Sequence, residues 1–169
     1  MTKWILRVFL AAILAGIGLW LFNVFFPSPE KVIRKRLQAL AEAASFKGND
    51  APLVKLSRTQ ELGTFVLPDV SISIEIPGRN VFTINGRDDL LELAGGARFA
   101  TQGLDVQFVD INITVGPGKE TATAELTVKA RVAGERDLIV TELRFDFRKA
   151  DGDWLIQRVE TLKTLKLTH

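Results

Sequence analysis

Hydrophobic and polar positions divide the chain into three successive patterns. Residues 8–26 form an uninterrupted stretch without any formal charge. Residues 29–46 then repeat apolar side chains with helical spacing, and from residue 70 onwards apolar and polar side chains mostly alternate, as they do in half-buried strands. This order predicts an apolar N-terminal helix followed by a domain that combines helices with a sheet.

The apolar stretch is long enough to cross a bilayer. As a helix, residues 8–26 would measure roughly 28 Å, which is close to the hydrocarbon thickness, and their apolar side chains cover every side of the helix. A cleaved signal peptide would have a shorter apolar region followed by small residues, whereas Phe25 and Phe26 end this one. A buried core helix is the third alternative. We therefore predict a transmembrane anchor over residues 1–27 and a domain over residues 28–169.

Basic residues flank the predicted anchor on both sides. The positive-inside count slightly favours a cytoplasmic domain, but a short N-terminal tail before a single span is typical of a signal anchor with an exported domain. We expect the domain on the extracytoplasmic (periplasmic) side and leave the other orientation open. The basic run after the anchor is either a solvated helix face or a surface that contacts anionic lipid headgroups. Its members are Lys31, Arg34, Lys35 and Arg36.

The remaining pattern predicts three helices and six strands. Ser28-Pro29-Glu30 has the residue types of a helix start: a capping hydroxyl, a proline at the first helical position and an acid in the first turn. The helices are expected at 29–46, at 53–62 and at 85–94, the last with its end near Gly95-Gly96. The strands are expected at 70–76, 81–84, 106–115, 121–132, 138–148 and 154–165.

This order of elements, together with three segments, resembles the NTF2-like (SnoaL-like) superfamily. The segments are the first helix (29–40), INGRDDL (84–90) before the third helix, and the hairpin FDFRKADGDWLI (145–156). The resemblance implies an α+β cone: a curved, mainly antiparallel sheet wrapped around helices, preceded here by one transmembrane helix. Similar anchored domains occur in bacterial secretion complexes and among Mce-associated proteins, which implies an interaction or assembly module of a membrane-associated complex.

Charge and composition exclude several functions. All 20 acidic residues follow the anchor, and removing Lys3 and Arg7 from the 22 basic ones leaves 20, so the domain is neutral and lacks the basic surface of a nucleic-acid binder.

The chain has no Cys or Tyr, and His169 is its only histidine. The resemblance implies that enzymes of this fold use Asp, His or Tyr inside the cone. We therefore predict no catalytic residues, metal site or cofactor, and keep an isomerase or dehydratase as a lesser alternative, for which Glu75 or Asp110 would have to turn inward at a bulge.

Aromatic side chains are the candidates for binding an apolar, lipid-like ligand in the cone. The alternative is that they form a packed core. The polar side of the long strands is expected to be a solvated face, which leaves self-association through the sheet open. The candidate ligand-binding residues are Phe82, Phe99, Phe108, Phe145, Phe147 and Trp154.

Overall fold

The computed structural model describes Ile13, residues 28–75 and residues 81–163. Within the last two ranges, three α-helices and seven β-strands follow one another, together with a short 3-10 turn at Gly63–Phe65. The helices are α1 (Pro29–Ala44), α2 (Pro52–Leu62) and α3 (Arg87–Ala100). The strands are β1 (Phe46–Lys47), β2 (Val66–Ile74), β3 (Phe82–Asn85), β4 (Gly103–Val115), β5 (Thr121–Val132), β6 (Leu138–Ala150) and β7 (Asp153–Lys163).

The seven strands form one sheet in the order β1-β4-β5-β6-β7-β2-β3. All neighbouring pairs are antiparallel except β2 and β7, which are parallel, with Val66 opposite Ile156. The sheet is therefore mixed, and the mainly antiparallel arrangement predicted from the sequence is confirmed. The long antiparallel meander β4–β7 joins neighbours along the chain through short turns, whereas β2 reaches the sheet beside the last strand.

Helix α1 packs against the sheet through one side. Ile33, Leu37 and Ala41 lie four residues apart and are buried, because side chains at this spacing share one face of a helix. The helix begins as predicted, with Ser28 at the N-cap position and Pro29 in the first turn. The Ser28 hydroxyl, however, makes no capping bond to the helix backbone. Hydrogen bonds from the backbone amide of Glu30 and from Ser28 lower the pKa of the Glu30 carboxyl.

The sheet curves at a bulge in β4. The register against β5 shifts between Val109 and Asn112, and Asp110 has φ 53°, in the left-handed region. The Arg34 guanidinium donates a hydrogen bond of 3.0 Å from Nη2 to the carbonyl oxygen of Ile111, so α1 is attached to the strand at this point. Asp110 and Glu75 are both exposed, and neither side chain turns into the cone.

Three details differ from the sequence-based expectation. Helix α3 continues through Gly95 and Gly96 to Ala100 instead of ending there. The helix continues although each helical glycine costs about 1 kcal/mol, and α2 lies close beside it, since a Cβ on Gly95 would be in van der Waals contact with Cγ2 of Thr59 at 3.8 Å. Strand β2 begins at Val66, and the two-residue edge strand β1 was not predicted.

No helix in residues 28–75 and 81–163 is long and apolar enough to span a bilayer. The predicted anchor, residues 1–27, lies outside the described residues except for Ile13, and it stays a prediction.

Candidate functional site

Side chains fill the interior of the cone in the part of the chain that the structure describes. Phe145, Phe147 and Trp154 are buried in the hydrophobic core together with Ile33 and Leu37 of α1. The small crevice between α1 and the sheet has an empty volume of about 150 Å³ and admits no water molecule. A ligand therefore finds no preformed chamber between α1 and these strands.

A large cavity lies at one end of the cone and opens to the surface. It has a volume of about 1170 Å³ and is formed where the C-terminal ends of α1 and α3 meet the start of α2, the start of β4 and the end of β5. We call it the end groove. It is lined by Glu42, Ser45, Phe46, Lys47, Gly48, Asn49, Asp50, Val54, Lys55, Arg58, Phe99, Ala100, Thr101, Gln102, Gly103, Leu104, Asp105, Arg131 and Ala133.

Glycine allows two backbone segments to meet beside the end groove. A Cβ on Gly48 would collide with the carbonyl oxygen of Gln102, so only glycine lets these segments approach this closely. Two hydrogen bonds that involve side chains hold the loop that contains Gly48: Asp50 Oδ2 accepts from the Lys47 backbone N–H at 2.9 Å, and Lys55 Nζ donates to the Gly48 carbonyl at 3.0 Å. These contacts preorganise the rim of the groove.

The groove combines an apolar wall with a slight excess of positive charge. Phe99 is 65% exposed and Val54 is 44% exposed, and Lys55 Nζ lies 5.4 Å from the centroid of the Phe99 ring. Four basic residues (Lys47, Lys55, Arg58, Arg131) face three acidic ones (Glu42, Asp50, Asp105) in the lining, an excess of one positive charge. An exposed apolar wall beside basic groups suits an amphipathic ligand.

Arg98 lies buried beneath this groove. Its side chain is 2% exposed, and its Cζ lies 5.0 Å from the ring centroid of Phe46, which lines the groove. Nη2 donates to the carbonyl oxygen of Ala43, whereas Nη1 has no hydrogen-bond partner among the described residues. Burial lowers the pKa of the Arg98 guanidinium, and the nearby charge of Arg58 lowers it further, while Asp50 and Glu61 act in the opposite direction.

The six aromatic residues predicted to bind a ligand do not form one site. Phe145, Phe147 and Trp154 belong to the core, and Phe108 packs against Phe145 with ring centroids 5.7 Å apart. Phe99 is exposed in the end groove, and Phe82 is 37% exposed on β3, at the sheet edge. Of the six, only Phe99 lines the groove. Ligand binding by any of them stays a prediction.

Two of the four predicted membrane-contact residues have partners within the protein. Arg34 bonds to Ile111, and Arg36 donates to the carbonyl of Thr64 at 2.8 Å and pairs with Asp153 at 3.3 Å. Lys31 and Lys35 are exposed. Contact with lipid headgroups stays a prediction for all four.

Sequence reasoning did not identify Phe46 or Arg98. A signal for Arg98 was present: Leu91, Ala94 and Arg98 repeat at intervals of three and four residues, so a helix that continues past Gly95 places Arg98 on its inner face. Predicting that the helix ends at Gly95-Gly96 removed this signal.

Known structures show the fold clearly. No protein-family model matches the chain, and no curated protein matches it. An NTF2-like protein with a cystatin-like fold from Novosphingobium aromaticivorans is similar, with TM-score 0.63 and 19% identity over 94% of this chain and 90% of that one. A protein from the same organism, provisionally named a scytalone dehydratase, is also similar, with TM-score 0.59 and 19% identity over 80% of this chain and 84% of that one. An NTF2-like protein of unknown function from Pseudomonas putida has TM-score 0.60 and 10% identity over 80% and 86%. The chain therefore has the NTF2-like α+β fold, and at these identities the likeness extends to the fold alone.

Proposed function

We propose that the chain is a binding module, tethered to a membrane by residues 1–27, that takes a small amphipathic ligand in the end groove. The proposal rests on where the structure has room for a ligand. Side chains fill the cone, while a cavity of about 1170 Å³ opens beside Phe99 and Val54. The apolar ligand inferred from the sequence would then bind at the end of the cone. Of the six aromatic residues predicted to bind it, only Phe99 lines this groove.

Binding without catalysis agrees with the roles of two of the three acids in the groove, Asp50 and Asp105. Asp50 accepts a bond from the Lys47 backbone, and Asp105 Oδ2 accepts from Gln107 Nε2 at 3.2 Å. Both carboxylates thus serve local structure, and a general acid or base needs a group poised for proton transfer. In residues 28–75 and 81–163, no three acidic, histidine or cysteine side chains cluster in a way that would hold a metal ion. The likeness to the provisionally named scytalone dehydratase lies in the fold and supplies no reaction here.

Mass spectrometry of small molecules that co-purify with the full chain tests this proposal. The protein would be extracted from native membranes into nanodiscs and compared with the variant Ala100→Trp, which places a large ring at the exposed end of α3 in the groove. The matched control is Gln157→Trp, at an exposed position of β7 away from the groove. We expect an amphipathic molecule with the wild type and the control but not with Ala100→Trp. Equal recovery from all three proteins would overturn the proposal.

A second candidate function is the assembly module inferred from the sequence, and one surface favours it. Leu53 is 78% exposed and Leu56 is 53% exposed on α2, and they lie one helical turn apart beside Val54. A contiguous exposed apolar surface is typical of a contact with another protein. Cysteine crosslinking from position 53 in native membranes, with Gln157→Cys as control, should then capture a membrane-complex partner, and the absence of any 53-specific adduct would argue against this function.

The outer sheet face is the other predicted contact, in this case with a second copy of the chain. There, Arg144 pairs with Glu125 at 2.8 Å and with Glu160 at 3.3 Å, and these bonds raise the pKa of the Arg144 guanidinium. Because the charges already have partners in the same chain, a second copy would gain little from them. Self-association through this face is therefore less well supported than a contact through α2.

A further inference from the structure

Arg98 carries a buried positive charge that the described residues do not neutralise. The residue is 2% exposed, and none of the ion pairs in residues 28–75 and 81–163 includes it. Its neutral contacts are the Ala43 carbonyl and the face of the Phe46 ring. Nη1 is left without a hydrogen-bond acceptor.

This arrangement is unfavourable without a further partner. Buried charges in proteins are normally paired, because removing an ion from water costs several kcal/mol unless an opposite charge offsets it. An arginine that served packing alone would be better replaced by an apolar side chain of similar size. Two carboxylates, on Asp50 and Glu61, raise the pKa of Arg98 through space, but neither is hydrogen-bonded to it.

Phe46 contacts both Arg98 and the groove. The Phe46 ring covers the guanidinium and itself lines the groove. Phe46 belongs to a two-residue strand at the edge of the sheet, next to the loop that contains Gly48 and Asp50. Arg98 itself does not line the groove, so a ligand would reach Nη1 only if the Phe46 ring moved aside.

We infer that the end groove binds an amphipathic carboxylate, with the carboxylate paired to Nη1 of Arg98 and the apolar part lying against Phe99 and Val54. This inference rests on the ligand-binding function proposed above and names the class of ligand. A guanidinium presents its N–H groups in the plane that a carboxylate requires. The excess positive charge of the lining, with Arg98 below it, suits an anionic head group.

Calorimetric titration with a matched pair of probes tests the inference. The full chain in zwitterionic nanodiscs is titrated with 4-phenylbutyrate and with 4-phenylbutanol, and titrations into empty nanodiscs are subtracted. We expect the carboxylate to bind about tenfold more tightly than the alcohol, as one desolvated charge-assisted contact allows. The variant Arg98→Met, which keeps the length of the side chain but not its charge, should bind both probes equally.

Two further variants separate Arg98 from its neighbours. Arg58→Gln removes the basic groove residue whose charge acts on Arg98, and it should leave the carboxylate preference intact. Phe99→Ala should weaken both probes by a similar factor. A preference that survives in Arg98→Met and disappears in Arg58→Gln would overturn the assignment to Arg98.

The failures of the two proposals can be distinguished. If both probes bind equally well to the wild type and Ala100→Trp blocks both, the groove binds a ligand but the inference about the carboxylate is wrong. If neither probe binds, both proposals fail for this class of molecule. If Arg98→Met does not fold, the NMR resonance of Arg98 Nε–Hε in the wild type is measured instead. It should shift with 4-phenylbutyrate and not with 4-phenylbutanol. An unchanged resonance at saturation with 4-phenylbutyrate would overturn the inference.

Discussion

Arg36 of α1 donates a hydrogen bond of 2.8 Å to the carbonyl oxygen of Thr64, in the 3-10 turn that precedes β2. The same guanidinium lies 5.5 Å from the Phe65 ring centroid and pairs with Asp153. One side chain from the basic run thus connects the first helix to the turn and to the last strand. This makes Arg36 different from Lys35, its exposed neighbour.

Replacing Arg36 should destabilise the fold. Arg36→Ala loses one hydrogen bond to a backbone carbonyl and one cation–π contact, and we expect the free energy of unfolding to fall by about 1–2 kcal/mol. Lys35→Ala, the control, should change it by less than about 0.5 kcal/mol. Urea unfolding followed by circular dichroism measures both, and equal effects would show that the contacts of Arg36 contribute nothing particular.

The lysines of the basic run should account for contact with lipid headgroups, if the anchor holds α1 at the membrane. In nanodiscs that contain phosphatidylglycerol with a photoactivatable headgroup, the double variant Lys31→Glu/Lys35→Glu should crosslink less to lipid, since each lysine near an anionic surface contributes about 1 kcal/mol. Arg136→Glu, in the turn between β5 and β6, is the control. Unchanged crosslinking in the double variant would show that this surface faces water.

Thr141 should be replaceable with a gain in stability. It is 6% exposed in β6, and its hydroxyl has no hydrogen-bond partner among the described residues. Thr141→Val keeps the shape and removes the unsatisfied hydroxyl, so the free energy of unfolding should rise by about 1 kcal/mol. Thr123→Val is the matched control, because the Thr123 hydroxyl donates to Asp146 at 3.1 Å and its loss should not stabilise the protein.

Two of the aromatic residues singled out from the sequence should differ in how much their replacement by alanine lowers the free energy of unfolding. Phe147 is 3% exposed in the core, so Phe147→Ala should cost about 3–5 kcal/mol of unfolding free energy. Phe99 is 65% exposed, so Phe99→Ala should cost less than about 0.5 kcal/mol. Thermal and urea unfolding distinguish the two, and a large destabilisation by Phe99→Ala would show that Phe99 serves the fold instead of a groove.

The anchor has a direct test. If residues 1–27 span a membrane and are retained, the full chain should stay in the membrane pellet after alkaline carbonate extraction, and its intact mass should include the N-terminal residues. A soluble product that has lost these residues would support the signal-peptide alternative. Deleting residues 1–27 should release the domain into the supernatant.

Local patterns were sufficient to predict most elements of the fold. Alternation in β5 placed Ala122, Ala124 and Leu126 on the buried side, and all three are buried. Period two works here because successive side chains of a strand point to opposite faces, and only one face is covered by the helices. The helix start at Ser28-Pro29 and the turn at Asp151-Gly152 likewise depend on residues close in sequence.

The amino-acid sequence by itself determined the order of three helices and six strands and the inner face of β5 and β6, because these follow from periodicity and short-range sterics. Only the tertiary structure decided that α3 continues past Gly95, that the cone is filled, and that Arg98 lies beneath Phe46. These features depend on the packing of segments that are far apart in the sequence: α2 against α3, α1 against the sheet, and residue 98 against residue 46. Helical spacing can indicate that residue 98 faces inwards, but only such packing decides that its charge is buried without an ion-pair partner among the described residues.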